Sequence, residues 1–377
     1  DRRQRQMCIR DSSYIYLYGD MDFAEKLEWI DKEYLSAYDA ITLDSAVKEQ
    51  AAFEKPKEIS FPYPIASSES LTDNTYLSYN TVVGNVLDKE LYLAFEVLEY
   101  ALLNAPGAPL KKALIDAGIG KDIMGSYDNG IYQPIFSIIA KNANEEQKEE
   151  FLSVIRNVLE DCVKNGISKK SLLAGINSME FKFREADFGA YPKGLMYGLQ
   201  CLDSWLYDEK EPFMHIEAIK TYAFLKEQTQ GRYFEELVQK YLLDNTHVSV
   251  VITKPQKGLN AENEKALEEK LAAYKATLSK EEIDSLIADT RHLKEHQEEP
   301  SPKEDLEKIP LLKREDLKKE IVKLTNEECE VAGVPALYHD VFTSGIHYVD
   351  FMFDIKHIRQ EDLPYVGLLK AVLGYVD

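Results

Sequence analysis

Two consecutive stretches, TYLSYNTVV at residues 75–83 and DKELYLAFEVLEYALLN at residues 88–104, decide the fold. Polar and apolar residues alternate in the first stretch, which predicts a β-strand with one buried face. In the second stretch apolar residues recur every three or four positions, which predicts an amphipathic helix, and Asp88 is a suitable N-cap. A strand followed by a long apolar-faced helix is typical of a sheet covered by helices.

The sequence that follows extends this unit. Residues 119–127 and 132–141 are predicted to be strands that meet at the turn DNG, residues 128–130, which is a strong hairpin signal. Helical patterns dominate residues 145–243, and NTHVSVVITKP at residues 245–255 then predicts a buried strand. Pairing this strand with the three earlier ones gives an α+β fold, with an antiparallel sheet covered on one face by helices.

Upstream of this unit, SYIYLYGDMD at residues 13–22 predicts a strand, and residues 23–38 have the apolar periodicity of a helix. The stretch EKPKEISFPYPIASSES, residues 54–70, is rich in proline and serine and is interpreted as a linker. The tract at residues 7–11 resembles translated sequencing adapter, so we expect residues 1–12 to be a non-native leader. Because the strand needs sheet partners from elsewhere, we expect both ends of the chain to be truncations.

The region after the last strand is charge-laden and predicts two helices, at residues 261–278 and 280–295, with Ser279 as a cap between them. Such a pair forms a helical hairpin. Further along, GIHYVDFMFDI at residues 345–355 predicts a strand, and EDLPYVGLLKAVLG at residues 361–374 predicts a helix. The helical hairpin therefore separates two regions that contain both strands and helices.

The overall composition excludes some classes of partner. The formal net charge is −21 over 377 residues, the opposite of the basic patch that nucleic-acid binding requires. No apolar run of about 18 residues is present, so we predict no membrane partner. The four cysteines lack C-x-x-C spacing, which is typical of free thiols in a reducing cytoplasm: Cys8, Cys162, Cys201 and Cys329. We therefore expect a cytoplasmic protein.

One string has the pattern of a catalytic site. HLKEH at residues 292–296 matches H-x-x-E-H, in which two histidines on one helix face bind zinc and the glutamate acts as general base. The helical geometry argues against this role, because His292 and His296 project away from the predicted buried stripe. That stripe consists of Ile283, Leu286, Ile287, Thr290 and Leu293. A catalytic zinc also needs a third ligand and a partly dry cavity, so the string is interpreted as a chance match.

The remaining candidates lack the spacing of a site. Arg184, Glu185 and Asp187 are interpreted as a charged helix face. GIG at residues 118–120 lacks the spacing of a phosphate-binding loop, and no G-x-S-x-G is present. Five further histidines show no metal-ligand spacing and are interpreted as ordinary structural residues: His215, His247, His339, His347 and His357. We predict that the chain supplies no catalytic, metal-binding or cofactor-binding residue.

Five segments, taken in order, resemble one known family. They are IYLYGDMD (15–22), APGAPLKKALIDAGIGKDIMGSYDNG (105–130), FREADFGAYPKGLMYGLQCLDSWLY (183–207), QEEPSPKEDLEKIPLLKREDL (297–317) and TSGIHYVDFMFDIKHIRQEDLPY (343–365). Together they are similar to the presequence-protease subfamily of the pitrilysin and insulinase-type zinc metallopeptidases, the inverzincins. Members of this family have four α/β domains in two halves, which a helical hairpin joins around a chamber for unfolded peptides.

The resemblance implies a division of the chain. Residues 13–54 would be the end of the first, catalytic domain, residues 60–255 the complete second domain, residues 256–310 the helical hairpin linker, and residues 311–377 the start of the third domain. The family's zinc motif precedes the strand matched by IYLYGDMD, so no catalytic residue carries over to this chain. Zinc would be bound by the full-length parent and not by this chain.

For function, the resemblance implies a non-catalytic chamber-wall and hinge segment of a zinc-dependent metalloendopeptidase that degrades unfolded oligopeptides. One alternative is an inactive peptidase-like binding or scaffold subunit that partners an active peptidase. A second alternative is a small zinc peptidase built on His292 and His296. An upstream H-x-x-E-H in the same reading frame would favour the first hypothesis.

Overall fold

The fold is given by a computed structural model, which describes residues 13–39, 42, 46–309, 311–317, 319–321, 323 and 325–374. The chain divides into two compact units, of which the first extends to Ile321. The predicted leader, residues 1–12, lies outside the described residues, and the domain boundaries implied by the resemblance stay predictions. No helix within the described ranges is long and apolar enough to cross a membrane.

The first unit is built from five strands and the helices that surround them. The strands are β1 (Lys57–Ile65), β2 (Thr75–Val82), β3 (Asp122–Asp128), β4 (Ile135–Ala143) and β5 (Val248–Lys257). The helices are α1 (Phe23–Glu33), α2 (Lys89–Glu99), α3 (Pro109–Asp116), α4 (Lys148–Asn165), α5 (Lys169–Glu185), α6 (Lys193–Trp205), α7 (Ile219–Gln228), α8 (Tyr233–Val238), α9 (Leu259–Thr277), α10 (Lys280–Glu298) and α11 (Lys303–Leu306). Single π-helical turns continue α2 over Tyr100–Asn104 and α8 over Gln239–Leu243.

The strands form one sheet in the order β1-β5-β2-β4-β3. Strand β2 pairs antiparallel with β4 and β5, and β3 pairs antiparallel with β4, whereas β1 pairs parallel with β5. The predicted α+β fold is confirmed, but the sheet is not antiparallel throughout. The stretch that we interpreted as a linker contributes β1. Its prolines, Pro62 and Pro64, are tolerated because β1 is an edge strand and pairs on one side only.

Helix α2 lies at the centre of the hydrophobic core. Asp88 caps it as predicted, and its Oδ1 accepts a hydrogen bond of 2.9 Å from the Leu91 N–H. Phe95 of α2 is fully buried together with Phe136 of β4 and Phe151 of α4. Burial of each such ring contributes about 1.5–3 kcal/mol to stability. These contacts fix α2 between the sheet and the outer helices.

The predicted helical hairpin is present as α9 and α10, and Ser279 caps α10. Ser279 Oγ accepts a hydrogen bond from the Glu282 N–H at 3.2 Å, and the Ser279 N–H donates to Glu282 Oε2 at 2.8 Å. The stripe that we predicted to be buried is not buried, because Leu286, Ile287 and Leu293 are 50%, 52% and 52% exposed. Amphipathic periodicity indicates a face that favours contact, but no described element of the first unit covers this face of α10.

Two predicted strands are absent from the described part of the chain. Residues 13–18 form no strand, and the rings of Tyr16 and Tyr18 lie against Gly198 and Gly194 of α6 instead. In the second unit, residues 346–355 also form no strand. That unit contains an antiparallel hairpin of β6 (Glu327–Val331) and β7 (Val334–Tyr338), followed by the predicted helix, α12 (Leu363–Val372). Alternation of apolar residues predicts a strand only where hydrogen-bonding partners are available.

Candidate functional site

The H-x-x-E-H string lies on α10, and both of its imidazoles are exposed. Together with Asp289 and Leu293, His292 and His296 line a shallow surface depression. Among the described residues, no group of three or more His, Cys, Asp or Glu side chains is placed to hold a metal ion. A hydrolytic zinc needs three protein ligands in a partly dry cavity. The donors on α10 therefore do not fit such a zinc, and no catalytic step is assigned to them.

The other sequence candidates are dispersed. His215 and His247 are buried in the first unit, whereas His339, His347 and His357 are exposed residues of the second. Burial of the first two supports the structural role that we predicted for them. Of the two glycines at residues 118–120, both have positive φ, which serves the turn between α3 and β3.

The charged residues near the end of α5 form an ion-pair network. Arg184 Nη2 lies 2.6 Å from Glu180 Oε1, and Lys226 Nζ of α7 lies 2.5 Å from Glu180 Oε2. Asp187 is turned elsewhere, and its Oδ1 accepts a hydrogen bond from the Gly189 N–H at 2.9 Å. These residues join α5 to α7 and do not assemble a site.

A group of polar side chains that sequence reasoning missed lies between α2, the β3–β4 turn and α6. We call Tyr92, Glu96, Asn129 and Asp203 the carboxylate cluster. Asn129 Nδ2 donates to Glu96 Oε1 at 2.8 Å, and the Tyr92 hydroxyl donates to Asp203 Oδ2 at 3.0 Å. The signal available in the sequence was a carboxylate inside an apolar run, FEVL for Glu96 and CLDSWL for Asp203.

The environment of the carboxylate cluster favours protonated carboxyl groups. Desolvation raises the pKa of Glu96 to about 7, and the hydrogen bond from Asn129 only partly opposes this shift. Burial also raises the pKa of Asp203, against the effect of the hydrogen bond from Tyr92. Within the described residues, the buried hydroxyl of nearby Tyr127 has no hydrogen-bond partner. The cluster thus stores electrostatic strain in the middle of the core.

His215 extends the carboxylate cluster towards the surface. Its ring stacks on the Tyr92 ring, with the two centroids 3.9 Å apart. The side chain is 3% exposed, and its Nε2 has no partner among the described residues. Burial lowers the pKa of His215 to about 4, although a backbone hydrogen bond at Val86 acts in the opposite direction. The imidazole is therefore neutral at physiological pH.

A large concave site of the first unit lies beside these residues. It is a cleft of about 910 Å³ between the start of α2 and the segment that precedes and begins α7. We call it the α2 cleft. It is lined by Asn85, Leu87, Asp88, Lys89, Glu90, Glu211, Met214, Glu217, Ile219, Lys220 and Thr221. Its residues come from two segments that are distant in sequence, so periodicity gave no sign of it.

A second feature is the clasp, by which we mean the contacts that hold residues 49–53 against the sheet domain. Asn85 Nδ2 donates to Glu49 Oε1 at 2.7 Å, and Thr246 Oγ1 donates to the Phe53 carbonyl at 2.6 Å. The Phe53 ring packs edge-on against His247, with 4.6 Å between centroids. Asn85 belongs both to the clasp and to the α2 cleft, so the two features are adjacent.

The arrangement can bind and hold but shows no machinery for bond cleavage among the residues that the structure describes. Covalent catalysis requires a nucleophile hydrogen-bonded to an oriented base. The buried thiols of Cys162 and Cys201 have pKa values raised by burial, which makes them poor nucleophiles. The α2 cleft provides shape and charge, which suit recognition.

Comparison with known proteins gives two family matches in order along the chain. Residues 7–179 match the family model described as "Peptidase M16 inactive domain". Residues 253–377 match the model of the region associated with the C subfamily of the M16 peptidases. The second match begins within β5 and includes α9 and α10.

Full-length relatives match nearly the whole chain. Protein HypA of Clostridium perfringens is 44% identical over 363 residues, which is 96% of this chain and 37% of that protein. Presequence protease 1, chloroplastic/mitochondrial, of Arabidopsis thaliana is 30% identical over 371 residues, which is 97% of this chain and 34% of that protein. The chain therefore spans about a third of the length of these relatives.

Among solved structures, the peptidase M16 inactive domain from Pseudomonas fluorescens is similar at 15% identity and a TM-score of 0.44. The similarity covers 63% of this chain and 52% of that one. The family matches and the relatives agree with the resemblance found in the sequence. The chain belongs to the M16 peptidases, in the presequence-protease subfamily, and contains the inactive domain of that family.

Proposed function

We propose that the chain is a non-catalytic chamber-wall and hinge segment of a zinc-dependent metalloendopeptidase that degrades unfolded oligopeptides. The observation that carries the proposal is the match of residues 7–179 to an inactive peptidase domain, followed by the subfamily C match at residues 253–377. Relatives of which the chain spans about a third include a presequence protease, and that name describes an enzyme that acts on peptides.

The geometry supports a supporting role for the first unit. The only H-x-x-E-H in the sequence lies on an exposed helix face, and its histidines do not fit a hydrolytic zinc together with the other described residues. We therefore place zinc on residues of the parent protein outside this chain. The two long helices α9 and α10, joined by the Leu278-Ser279 turn, are suited to a hinge, because their exposed charged faces leave them few tertiary restraints.

A cytoplasmic location belongs to the same proposal. The three cysteines that the structure describes, Cys162, Cys201 and Cys329, are free thiols. Free buried thiols are typical of a reducing compartment. Fractionation of cells that express the tagged full-length protein tests this part, and an exclusively extracytoplasmic signal would contradict it.

The function is tested by peptide cleavage. Purified 377-residue chain, supplied with excess zinc, is incubated with an unfolded peptide that carries a fluorophore and a quencher. We expect no cleavage by the chain, and chelator-sensitive cleavage by the full-length protein. Chelator-sensitive cleavage by the chain, lost in the His292→Ala variant, would contradict the proposal and favour a small zinc peptidase. A full-length protein that binds the peptide without cleaving it would favour an inactive partner subunit.

A further inference from the structure

The α2 cleft has an acidic rim and an apolar floor. Its apolar side chains are Leu87, Met214 and Ile219. Four carboxylates and two lysines surround them: Asp88, Glu90, Glu211, Glu217, Lys89 and Lys220. The excess of two negative charges lies in one concave surface, where low-dielectric walls strengthen the electrostatic potential.

The carboxylates of the cleft are not neutralised within the described chain. No salt bridge joins any of the four to a lysine, arginine or histidine there, although Asp88 Oδ1 accepts the capping hydrogen bond from Leu91. Their field is felt nearby. Burial raises the pKa of Tyr233 to about 12, and the charges of Asp88 and Glu90 act in the same direction. The rim therefore offers acceptors that a cation could use.

The shape of the α2 cleft selects among cations. A single metal ion is a poor fit, because no group of three His, Cys, Asp or Glu side chains in the described residues is placed to hold one. A volume of about 910 Å³ is large enough for several side chains. Lysine and arginine have apolar stems and charged ends, so they place methylene groups on an apolar floor and their charge at an acidic rim.

The buried wall behind the α2 cleft is stiff. His215 follows Met214 of the lining, and its ring is stacked on Tyr92. Asp88 is fixed as the N-cap of α2, and Thr221 is buried at the start of α7. A ligand therefore meets a largely preformed surface, which reduces the entropy lost on binding.

We infer that the α2 cleft binds a peptide segment in which lysine or arginine residues stand beside apolar residues. The inference rests on the proposed function for the ligand class, a peptide, and adds a site and a charge preference on the non-catalytic domain. Anionic peptides and polynucleotides are disfavoured, since they would bring like charge to an acidic rim.

The test uses the purified chain and fluorescence anisotropy. One probe is a fluorescein-labelled peptide of lysine, leucine and serine, and the other is its counterpart with glutamate in place of lysine. The variant is Glu217→Lys, which reverses a charge at the rim. The matched control is Glu227→Lys, which makes the same change at an exposed position on α7 outside the cleft lining. Circular dichroism checks that both variants are folded, and Glu217→Gln provides a milder change.

We expect the chain to bind the cationic peptide at least tenfold more tightly than the anionic one. Glu217→Lys should weaken this binding about tenfold, Glu217→Gln by less, and Glu227→Lys by less than twofold. Equal weakening by both reversals would show that only net charge matters and would overturn the inference. Equal binding of the two peptides, or no binding of either, would overturn it too. These results leave the proposed function standing, because that is decided by cleavage in the full-length protein.

Discussion

Gln133 and Gln50 exchange two hydrogen bonds, although 83 positions separate them in the sequence. Gln133 Oε1 accepts from the Gln50 N–H at 2.7 Å, and Gln133 Nε2 donates to the Gln50 carbonyl at 3.1 Å. One side chain thus reproduces the pairing that a neighbouring strand would give. It completes the clasp, which fixes the path of the chain before it enters β1.

Replacing Gln133 by alanine should loosen the clasp without unfolding the domain. The two lost hydrogen bonds are worth about 1 kcal/mol each, and they are partly replaced by water. We expect faster amide hydrogen exchange at residues 49–53, with little change in β2 and β4. Gln256→Ala is the control, because Gln256 bonds Glu262 and lies away from the clasp. Unchanged exchange at residues 49–53 in the Gln133 variant would show that the clasp does not depend on this side chain.

Glu96→Gln should stabilise the protein at alkaline pH. The folded-state pKa of about 7 lies above the ordinary value of 4.5, so the native state holds a proton that the unfolded state releases between these values. The stability from this group is complete below pH 4.5 and is lost as the pH rises through 7. A neutral glutamine still accepts from Asn129, so the free energy of unfolding should rise by about 2 kcal/mol at pH 8.

Urea denaturation at pH 8 and at pH 4.5 measures this effect. The difference between Glu96→Gln and the unmodified chain should be large at pH 8 and close to zero at pH 4.5. Glu160→Gln is a control on the exposed face of α4, where Glu160 pairs with Arg156. A Glu96→Gln variant less stable than the unmodified chain at pH 8 would contradict the raised pKa.

His215→Phe should remove part of the acid sensitivity of the fold. The folded-state pKa of about 4 lies below the ordinary value of 6.5, so the unfolded state binds an extra proton between these values. The stability from neutral His215 is complete above pH 6.5 and is lost as the pH falls towards 4. Phenylalanine keeps the stack on Tyr92 and cannot be protonated.

The measurement is the slope of the free energy of unfolding between pH 4.5 and 6.5. It should be smaller in His215→Phe, even if the variant is about 1 kcal/mol less stable at pH 7.5 through loss of a hydrogen bond. His292→Phe, at an exposed histidine, should leave the slope unchanged. An identical slope in the His215 variant would mean that this imidazole titrates normally.

Gly198→Ala should displace the N-terminal aromatic arm from α6, despite the higher helix propensity of alanine. A Cβ at Gly198 would lie 2.8 Å from Tyr16 Cδ1, which is closer than real Cβ contacts allow. Because Tyr14 packs on Trp205 with ring centroids 4.8 Å apart, displacement should change tryptophan fluorescence. Adding Tyr16→Ala should relieve the clash, and Gly367→Ala, which meets open space, should have no such effect. Fluorescence identical to that of the unmodified chain would show that the arm adapts.

Local patterns predicted the elements whose partners are close in sequence. Asp88 and Ser279 could be recognised as caps because capping depends on the next three residues. Strand β1 was missed because Pro62 and Pro64 suggested a loop, and only the distant β5 shows that the segment is a sheet edge. Residues 13–18 have a strand pattern, but the glycines of α6 give the tyrosines another partner.

The polar sites could not be read from spacing. Glu96 and Asp203 meet through folding, and Asn85 contributes to both the clasp and the α2 cleft through contacts with three separate segments. Conversely, the H-x-x-E-H spacing alone indicated a metal site that the exposure of α10 does not support. Chemistry-bearing spacing needs a cavity before it indicates function.

The account depends most on the claim that the hydrolytic metal is held outside this chain. The direct test is the zinc content and peptidase activity of the full-length protein that carries His292→Ala and His296→Ala together. We expect zinc stoichiometry and peptide cleavage within twofold of the unmodified protein, because these histidines lie on an exposed helix face. Loss of the bound zinc together with loss of cleavage would contradict the account.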